Sequence, residues 1–152
     1  MWFQQKRDER ILHWRDWRKS IEGKDKHEVL QEIATTWAQV PTCSQIIAQD
    51  SFDEWPNPWQ LISDNYYCDL SVALGMCYSI LLLDNYQDLY EDVSLNIYKQ
   101  NDNWINLPTI NQGKYVLNWN IGEIVNIEHI AKTHNLQLIF SYSNIDLLNK
   151  IS

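Results

Sequence analysis

Cys68 is the residue of this 152-residue sequence whose type and position most directly suggest chemistry, because it stands just before a long apolar run, residues 70 to 83. A thiol at the start of a helix is favoured in its reactive thiolate form by the positive end of the helix dipole. Asp69 follows at once, however, and its negative charge disfavours the thiolate. Buried free cysteines commonly serve as small apolar residues. We therefore predict that Cys68 is a packing residue and keep a nucleophilic Cys68 as the alternative.

Motifs of cofactor and metal sites are missing from the sequence. It contains no G-x-G-x-x-G, no Walker loop and no H-E-x-x-H, and its four glycines are too scattered to cradle a phosphate. Asp88, Glu91 and Asp92 are able to ligate a divalent cation, but they lack the regular spacing of a calcium loop, so a solvated acidic turn is favoured. We predict no cofactor and no metal.

The cysteines and the N-terminus indicate where the protein is found. Cys43, Cys68 and Cys77 are odd in number and lack the spacing of a disulfide framework or a zinc site, which is typical of free thiols in a reducing compartment. The opening MWFQQKRDERILHWRDW is charged in every turn, unlike a signal peptide. The apolar run is about four residues short of the roughly 18 that a membrane span needs. We predict a protein that is not exported from the compartment where it is made and has no membrane partner.

Charge is unevenly distributed along the chain. The net charge is −8, but residues 1 to 26 carry eight Lys/Arg and five Asp/Glu (+3), whereas the remainder carries four and fifteen (−11). The acidic body repels phosphate backbones, which disfavours nucleic acid as a partner except through the first helix. The same charge keeps open one further alternative, an acidic host-takeover protein that binds a basic host partner.

Apolar spacing predicts a helical hairpin over residues 1 to 41. Apolar residues recur three and four apart before Gly23, where the first helix ends. Asp25 and Glu28 have the spacing of a capping box at the start of the second helix, which Pro41 stops.

A short helix and a buried central helix are predicted over residues 57 to 84. Asn57 is a typical N-cap, and Pro58 suits the first helical position because its missing N–H has no partner there. The run that Asp69 caps is apolar on nearly every side, as in a helix surrounded by other elements. Gly75 in its middle predicts the close approach of another backbone or of a bulky ring.

The pattern changes to β-strands from residue 93 onward. VSLNIYKQ, WINLP, GKYVLNWN and QLIFSYS have the alternation of strands, EIVNI is a further candidate, and IEHIAKTH lies between them as a helical turn. The strands form a mostly antiparallel sheet over residues 93 to 143, and a C-terminal helix spans 144 to 152. The chain is thus predicted to be a single α+β domain, residues 1 to 152.

Four of the eight tryptophans are candidates for binding other proteins. Trp2, Trp55, Trp59 and Trp104 do not fall on faces that periodicity assigns to the core, and exposed tryptophans often anchor protein partners. For Trp55 and Trp59 the favoured interpretation is a packed structural corner, which the two neighbouring prolines support, and the alternative is a tryptophan shelf that binds a sugar or a peptide.

The order of these elements resembles the layout of papain-like and transglutaminase-like cysteine enzymes, in which a cysteine begins a buried helix that precedes an antiparallel sheet. The resemblance implies an amidase or transferase with Cys68 as nucleophile and a histidine as base. His129 is the candidate base, His134 lies near it, and Asp146 or Asn118 is the candidate third group. The residues before the cysteine are NYY, however, where those enzymes have a glycine-containing oxyanion turn.

A second resemblance rests on W-P-x-P-W-x-L-I, followed by Y-C and A-L-G-M-C-Y. This pattern resembles small uncharacterised proteins of tailed phages that infect marine cyanobacteria, over roughly residues 10 to 83, including the helical pair that ends in W-A-x-V-P. This resemblance implies no particular activity and no catalytic residue. It implies a phage context, in which small acidic α+β domains are often particle components held by symmetric packing.

The favoured interpretation is a noncatalytic structural or assembly component of a tailed-phage virion, in the neck, tail or baseplate. It is made in the host cytoplasm and contacts other virion proteins or copies of itself. The cysteine-dependent amidase or transferase and the acidic host-takeover protein are the alternatives.

Overall fold

Helices occupy the first half of the chain and a sheet the second half, so the predicted α+β class is confirmed. The computed structural model describes residues 1–151, and Ser152, the end of the predicted C-terminal helix, lies outside them. The helices are α1 (Arg7–Ile21), α2 (Lys26–Trp37), α3 (Pro58–Asp64), α4 (Asp69–Leu81), α5 (Tyr86–Leu89), α6 (Ile127–Thr133) and α7 (Asn144–Ile151). The strands are β1 (Val93–Gln100), β2 (Asn103–Ile110), β3 (Tyr115–Leu117), β4 (Ile124–Val125) and β5 (Gln137–Tyr142).

Helices α1 and α2 follow each other across a short turn, but they do not pack chiefly on each other as the predicted hairpin would, because α1 packs on α3 and α2 packs on α4. The Asp25 carboxylate caps α2 by accepting hydrogen bonds from the backbone N–H groups of His27 and Glu28 at 2.9 and 3.0 Å. Helix α2 ends at Trp37, a few residues before the predicted stop at Pro41. A residue that precedes proline avoids the helical conformation, so the helix ends before it reaches the proline.

Helix α4 is the central helix of the molecule. Twelve of its thirteen residues are buried, and it packs against α2, α3, α7, β1 and β2. Its N-cap is Cys68 and not Asp69, which was predicted in that role and is the first helical residue. Ahead of it, Asn57 caps α3 as predicted, because its side chain accepts a hydrogen bond from the backbone N–H of Gln60 at 2.9 Å.

Close approach at Gly75 fixes the position of α4 against α2. The Trp37 ring lies where a Cβ on Gly75 would be, which confirms the predicted approach of a bulky ring. Ser79 Oγ accepts hydrogen bonds from the indole N–H groups of Trp14 and Trp37 at 3.3 and 2.9 Å and donates one to the Gly75 carbonyl at 2.8 Å. One hydroxyl thus satisfies two buried indole donors, which are costly to leave unpaired.

The strands form one antiparallel sheet in the order β4-β3-β2-β1-β5. Helix α4 lies against one face. Helix α6 covers the other, where Ile130 packs on Leu107 of β2 and Val116 of β3. Strand β3 is shorter than the predicted GKYVLNWN strand: it ends at Leu117 because Asn118 adopts a left-handed φ of 68°, which a strand does not accommodate.

The packing at Gly75 predicts that Gly75→Ala destabilises the protein. The new methyl group would overlap the Trp37 ring, which its hydrogen bond to Ser79 holds in place. Overpacking costs about 1 to 3 kcal/mol, or more, and outweighs a gain of about 1 kcal/mol in helix propensity. Urea unfolding measures the difference. Gly23→Ala is the matched control, because no atom lies within 4 Å of its Cβ position. Equal stability of the two variants would contradict the close approach.

Candidate functional site

The Cys68 sulfur lies at the start of α4, beneath a segment that returns from α2. Thr42 and Tyr67 form a parallel bridge, and the backbone N–H of Cys43 donates to the Tyr67 carbonyl at 3.0 Å. This pairing brings residues 43 to 47 over the first turn of α4. The result is that Cys68 is buried, 3% exposed as a residue, with backbone polar groups around its sulfur.

Hydrogen-bond donors around this sulfur lower the pKa of Cys68. Burial alone would raise it, because burial disfavours the charged thiolate. The backbone N–H groups of Ile46, Ser71 and Ile47, together with the Ser71 hydroxyl at 3.1 Å, favour the thiolate and outweigh burial. The pKa of Cys68 therefore lies below its ordinary value, although the charge of Asp69 was predicted to act in the opposite direction.

The side chain of Asp69 is exposed and is held by the amides of Asn106 on β2 and of Asn118, the residue after β3. Its carboxylate accepts hydrogen bonds from Asn106 Nδ2 at 2.8 Å and Asn118 Nδ2 at 3.2 Å. Asn118 also donates to the Asn106 backbone carbonyl at 3.0 Å. The Asn106 side-chain oxygen is buried and has no hydrogen-bond partner among the described residues. An acceptor of this kind remains available to a donor group.

A cavity of about 410 Å³ opens beside the thiol. Cys43, Cys68 and Asp69 line it on the helical side, and Trp104 and Asn106 line it on the sheet side. No histidine is among its lining residues in the described part of the chain. The arrangement therefore offers a stabilised thiolate, a second thiol and acceptor oxygens, without an imidazole.

The structure does not bring His129 to Cys68. His129 belongs to α6, whose Ile130 packs on Leu107. The neighbouring residue on β2, Asn106, binds Asp69 at the start of α4. Successive residues of a strand point to opposite faces, so α6 and Cys68 lie on opposite sides of the sheet. The base implied by the resemblance to cysteine enzymes is thus separated from the thiol by the sheet itself.

The other residues considered for catalysis have separate positions. His134 lies against the Trp119 ring, with centroids 4.8 Å apart. Asp146 accepts hydrogen bonds from the backbone N–H and the hydroxyl of Ser143 at the start of α7. Of the proposed third groups, only Asn118 belongs to the polar cluster at Asp69.

The acidic segment between α5 and β1 interacts with the next turn of the sheet. The Asp92 carboxylate accepts a hydrogen bond from the Gln112 backbone N–H at 3.0 Å, and the Glu91 N–H donates to the Asn111 side chain at 2.8 Å. No group of three or more His, Cys, Asp or Glu side chains suited to a metal occurs in residues 1–151.

Two of the four tryptophans predicted to contact partners are buried, so that prediction is wrong for them. Trp2 is 0% exposed and packs against the rings of α1 and α2, and Trp55 is 3% exposed, with its indole N–H donating to the Ala48 carbonyl at 2.7 Å. Trp59 remains partly exposed, edge-on to Trp14. Trp104 is half-buried under the Lys99 ammonium and faces the cavity. Of these four tryptophans, Trp59 and Trp104 retain exposed surface.

Ser71 and Asn106 belong to the site but were missed from the sequence, whereas Asn118 was named only as a candidate third group. Ser71 lies three residues after Cys68 in α4, which places it one turn away, and this spacing is a readable signal. Asn106 is a polar residue in the buried second half of β2. A buried polar side chain is usually hydrogen-bonded, so its position in this strand indicates a partner. Asn118 gives no comparable signal, because its contact depends on where β3 ends.

The chain matches no protein-family model, and a search of curated proteins finds no similar sequence. In residues 1–151, no helix has both the length and the apolar character needed to cross a membrane.

The donor shell predicts that Ser71→Ala raises the pKa of Cys68. The substitution removes the hydroxyl donor at 3.1 Å, so the thiolate loses part of its stabilisation. The rate of iodoacetamide alkylation at Cys68, followed against pH by peptide mass spectrometry, should rise at a higher pH than in the parent protein. Ser20→Ala on the exposed face of α1 is the control and should leave the profile unchanged. An identical profile for Ser71→Ala would show that the hydroxyl does not act on the thiolate.

Proposed function

We propose that the protein is a noncatalytic assembly component of a tailed-phage particle, in the neck, tail or baseplate, and that it binds extended segments of neighbouring virion proteins. The resemblance of the W-P-x-P-W and A-L-G-M-C-Y motifs to cyanophage proteins supports the phage context. The exposed edge of the sheet at β5 is the observation that carries the binding role.

Strand β5 is an edge strand with an open side. It pairs with β1 only, and its other side carries no strand among residues 1–151. Its sequence QLIFSY has neither charge nor proline, the devices that usually protect sheet edges from pairing with other chains. Leu138 is 51% exposed and Ile139 36%. An edge of this kind accepts an added strand, with main-chain hydrogen bonds for affinity and apolar contacts for register.

The negative charge of residues 27 to 152 indicates the charge of the strand that is added at β5. Residues 27 to 152 hold four Lys/Arg and fifteen Asp/Glu, a charge of −11. An acidic surface attracts basic partners and so speeds their association, and it repels acidic partners. The partner segment is therefore an extended strand with apolar residues and basic flanks, supplied by another virion protein.

This proposal predicts that the protein co-purifies with intact virions and that Leu138→Asp removes it from them. The new charge would have to be desolvated beside the added strand. Quantitative mass spectrometry of gradient-purified particles measures the copy number, with circular dichroism as a check that the variant folds. Ile121→Asp is the matched control, since Ile121 is an exposed apolar residue away from β5. Finding the protein only in infected-cell lysate would contradict the proposal.

A second candidate is a cysteine-dependent amidase or transferase, and the lowered pKa of Cys68 favours it. The thiolate faces a cavity of about 410 Å³, in which an acyl group can approach the sulfur. Attack would form the thioester bond and expel an amine, whose proton would come from water because His129 lies across the sheet. This second candidate thus retains Cys68 as the nucleophile, and water takes the place of His129 in supplying the proton.

The second candidate predicts that a chloroacetamide probe labels Cys68 at least about tenfold faster than Cys77, whose pKa is raised by complete burial. Peptide mass spectrometry after brief labelling of the native protein measures both sites. Labelling of Cys68 should persist in Cys43→Ser. Equal labelling of the two sites, or none at Cys68, would remove the enzymatic candidate and leave the assembly role untouched.

A further inference from the structure

The three thiols of the chain have different surroundings. Cys77 is fully buried in α4 and lines none of the cavities described above. Cys43 is exposed and Cys68 is buried, yet both line the cavity of about 410 Å³. An exposed thiol and a shielded thiol therefore share one space.

Chain pairing places these two cysteines side by side. Thr42 and Tyr67 form an isolated parallel bridge, and Cys43 and Cys68 are the residues that directly follow its two members. The Cys43 N–H donates to the Tyr67 carbonyl at 3.0 Å, which holds Cys43 against the peptide group that precedes Cys68, and Cys68 is extended, with φ −79° and ψ 173°. Paired residues of parallel strands lie about 4.8 Å apart with their side chains on the same side. Disulfide-bonded cysteines have Cα separations of about 4.4 to 6.8 Å.

We propose that Cys43 and Cys68 form an oxidisable dithiol site, which hydrogen peroxide converts into an intramolecular disulfide. Both thiols are free in the structure, which therefore represents the reduced form. The oxidant is small enough to reach Cys68 through the cavity that the sulfur lines.

The chemistry proceeds in two balanced steps. The Cys68 thiolate attacks one peroxide oxygen, so the O–O bond breaks, a sulfenic acid forms and the second oxygen leaves as hydroxide, which is protonated to water. Cys43 sulfur then attacks the Cys68 sulfur, so the S–S bond forms and the S–O bond breaks. The former hydroxyl leaves with the Cys43 proton as a second water. In total, two thiols are oxidised and one peroxide is reduced.

The local contacts assign different roles to the two thiols. The N–H groups of Ile46, Ile47 and Ser71 favour the thiolate of Cys68, which is the form that peroxide oxidises. Cys43, exposed on the returning segment, is positioned to resolve the sulfenic acid. The disulfide would join this segment covalently to the start of α4. It would also close a loop from residue 43 to residue 68 and so restrict the unfolded chain.

The test is a reaction of the full-length native protein with a small excess of hydrogen peroxide, followed by alkylation and non-reducing peptide mapping. The expected result is a monomer that has lost two hydrogen atoms, with one cross-linked peptide joining Cys43 and Cys68 and with Cys77 alkylated. The oxidised protein should unfold at a higher urea concentration than the reduced protein, and dithiothreitol should reverse both changes.

Variants distinguish the assigned roles. Cys43→Ser has an exposed site and should fold normally, and its Cys68 should accumulate as a sulfenic acid that dimedone traps. Cys77→Ala is the matched control and should still form the disulfide. A cross-link that includes Cys77, dimers joined through Cys43, or three unmodified thiols after exposure would each overturn the proposal. None of these outcomes depends on virion binding, so this site and the assembly role succeed or fail separately.

Discussion

The close approach of the Trp37 ring to Gly75 is the constraint on which the rest of the structure depends. It draws α2 against the middle of α4, and Ser79 holds the indoles of Trp14 and Trp37 at this point. A helix that is buried on nearly every side has no solvent face along which to slide or rotate. The contact therefore fixes where α4 begins, and with it the position of Cys68.

The N-terminal end of α4 brings together polar groups from three parts of the chain. The Cys68 sulfur contacts the Ser71 hydroxyl at 3.1 Å, and the N–H groups of Ile46 and Ile47 favour its thiolate. The exposed Asp69 carboxylate accepts hydrogen bonds from the amides of Asn106 and Asn118. These contacts place a stabilised thiolate next to a cavity.

Local sequence rules predicted much of the fold. The burial of α4, the close approach at Gly75 and the Asn57 cap follow from composition and neighbouring residues, which the structure reproduces. Trp2 and Trp55 were assigned to the surface because periodicity gives no sign of their tertiary neighbours. Whether a tryptophan outside a regular element is buried depends on which rings meet it from other parts of the chain.

The site itself was less predictable, because its geometry depends on non-local pairing. The donors from Ile46 and Ile47 exist only because Thr42 pairs with Tyr67, and nothing in the spacing of these residues indicates a parallel bridge. The position of His129 depends on which face of the sheet α6 covers, and a shift of one residue in strand register would exchange the faces.

That register decides which chemistry is open to Cys68. Leu107 turns toward α6 and Asn106 toward α4, so the imidazole of His129 on α6 and the thiol are separated by the full sheet. A second thiol, that of Cys43, lines the same cavity as Cys68 and lies on the segment that supplies the N–H donors. A cysteine enzyme activates its thiol with a base, whereas here backbone donors favour the thiolate and the adjoining group is a reductant. An arrangement of this kind suits two-electron oxidation of the two sulfurs by a small oxidant such as peroxide better than acyl transfer, because the oxidation needs a second thiol beside the first, whereas acyl transfer needs a proton donor for the leaving group.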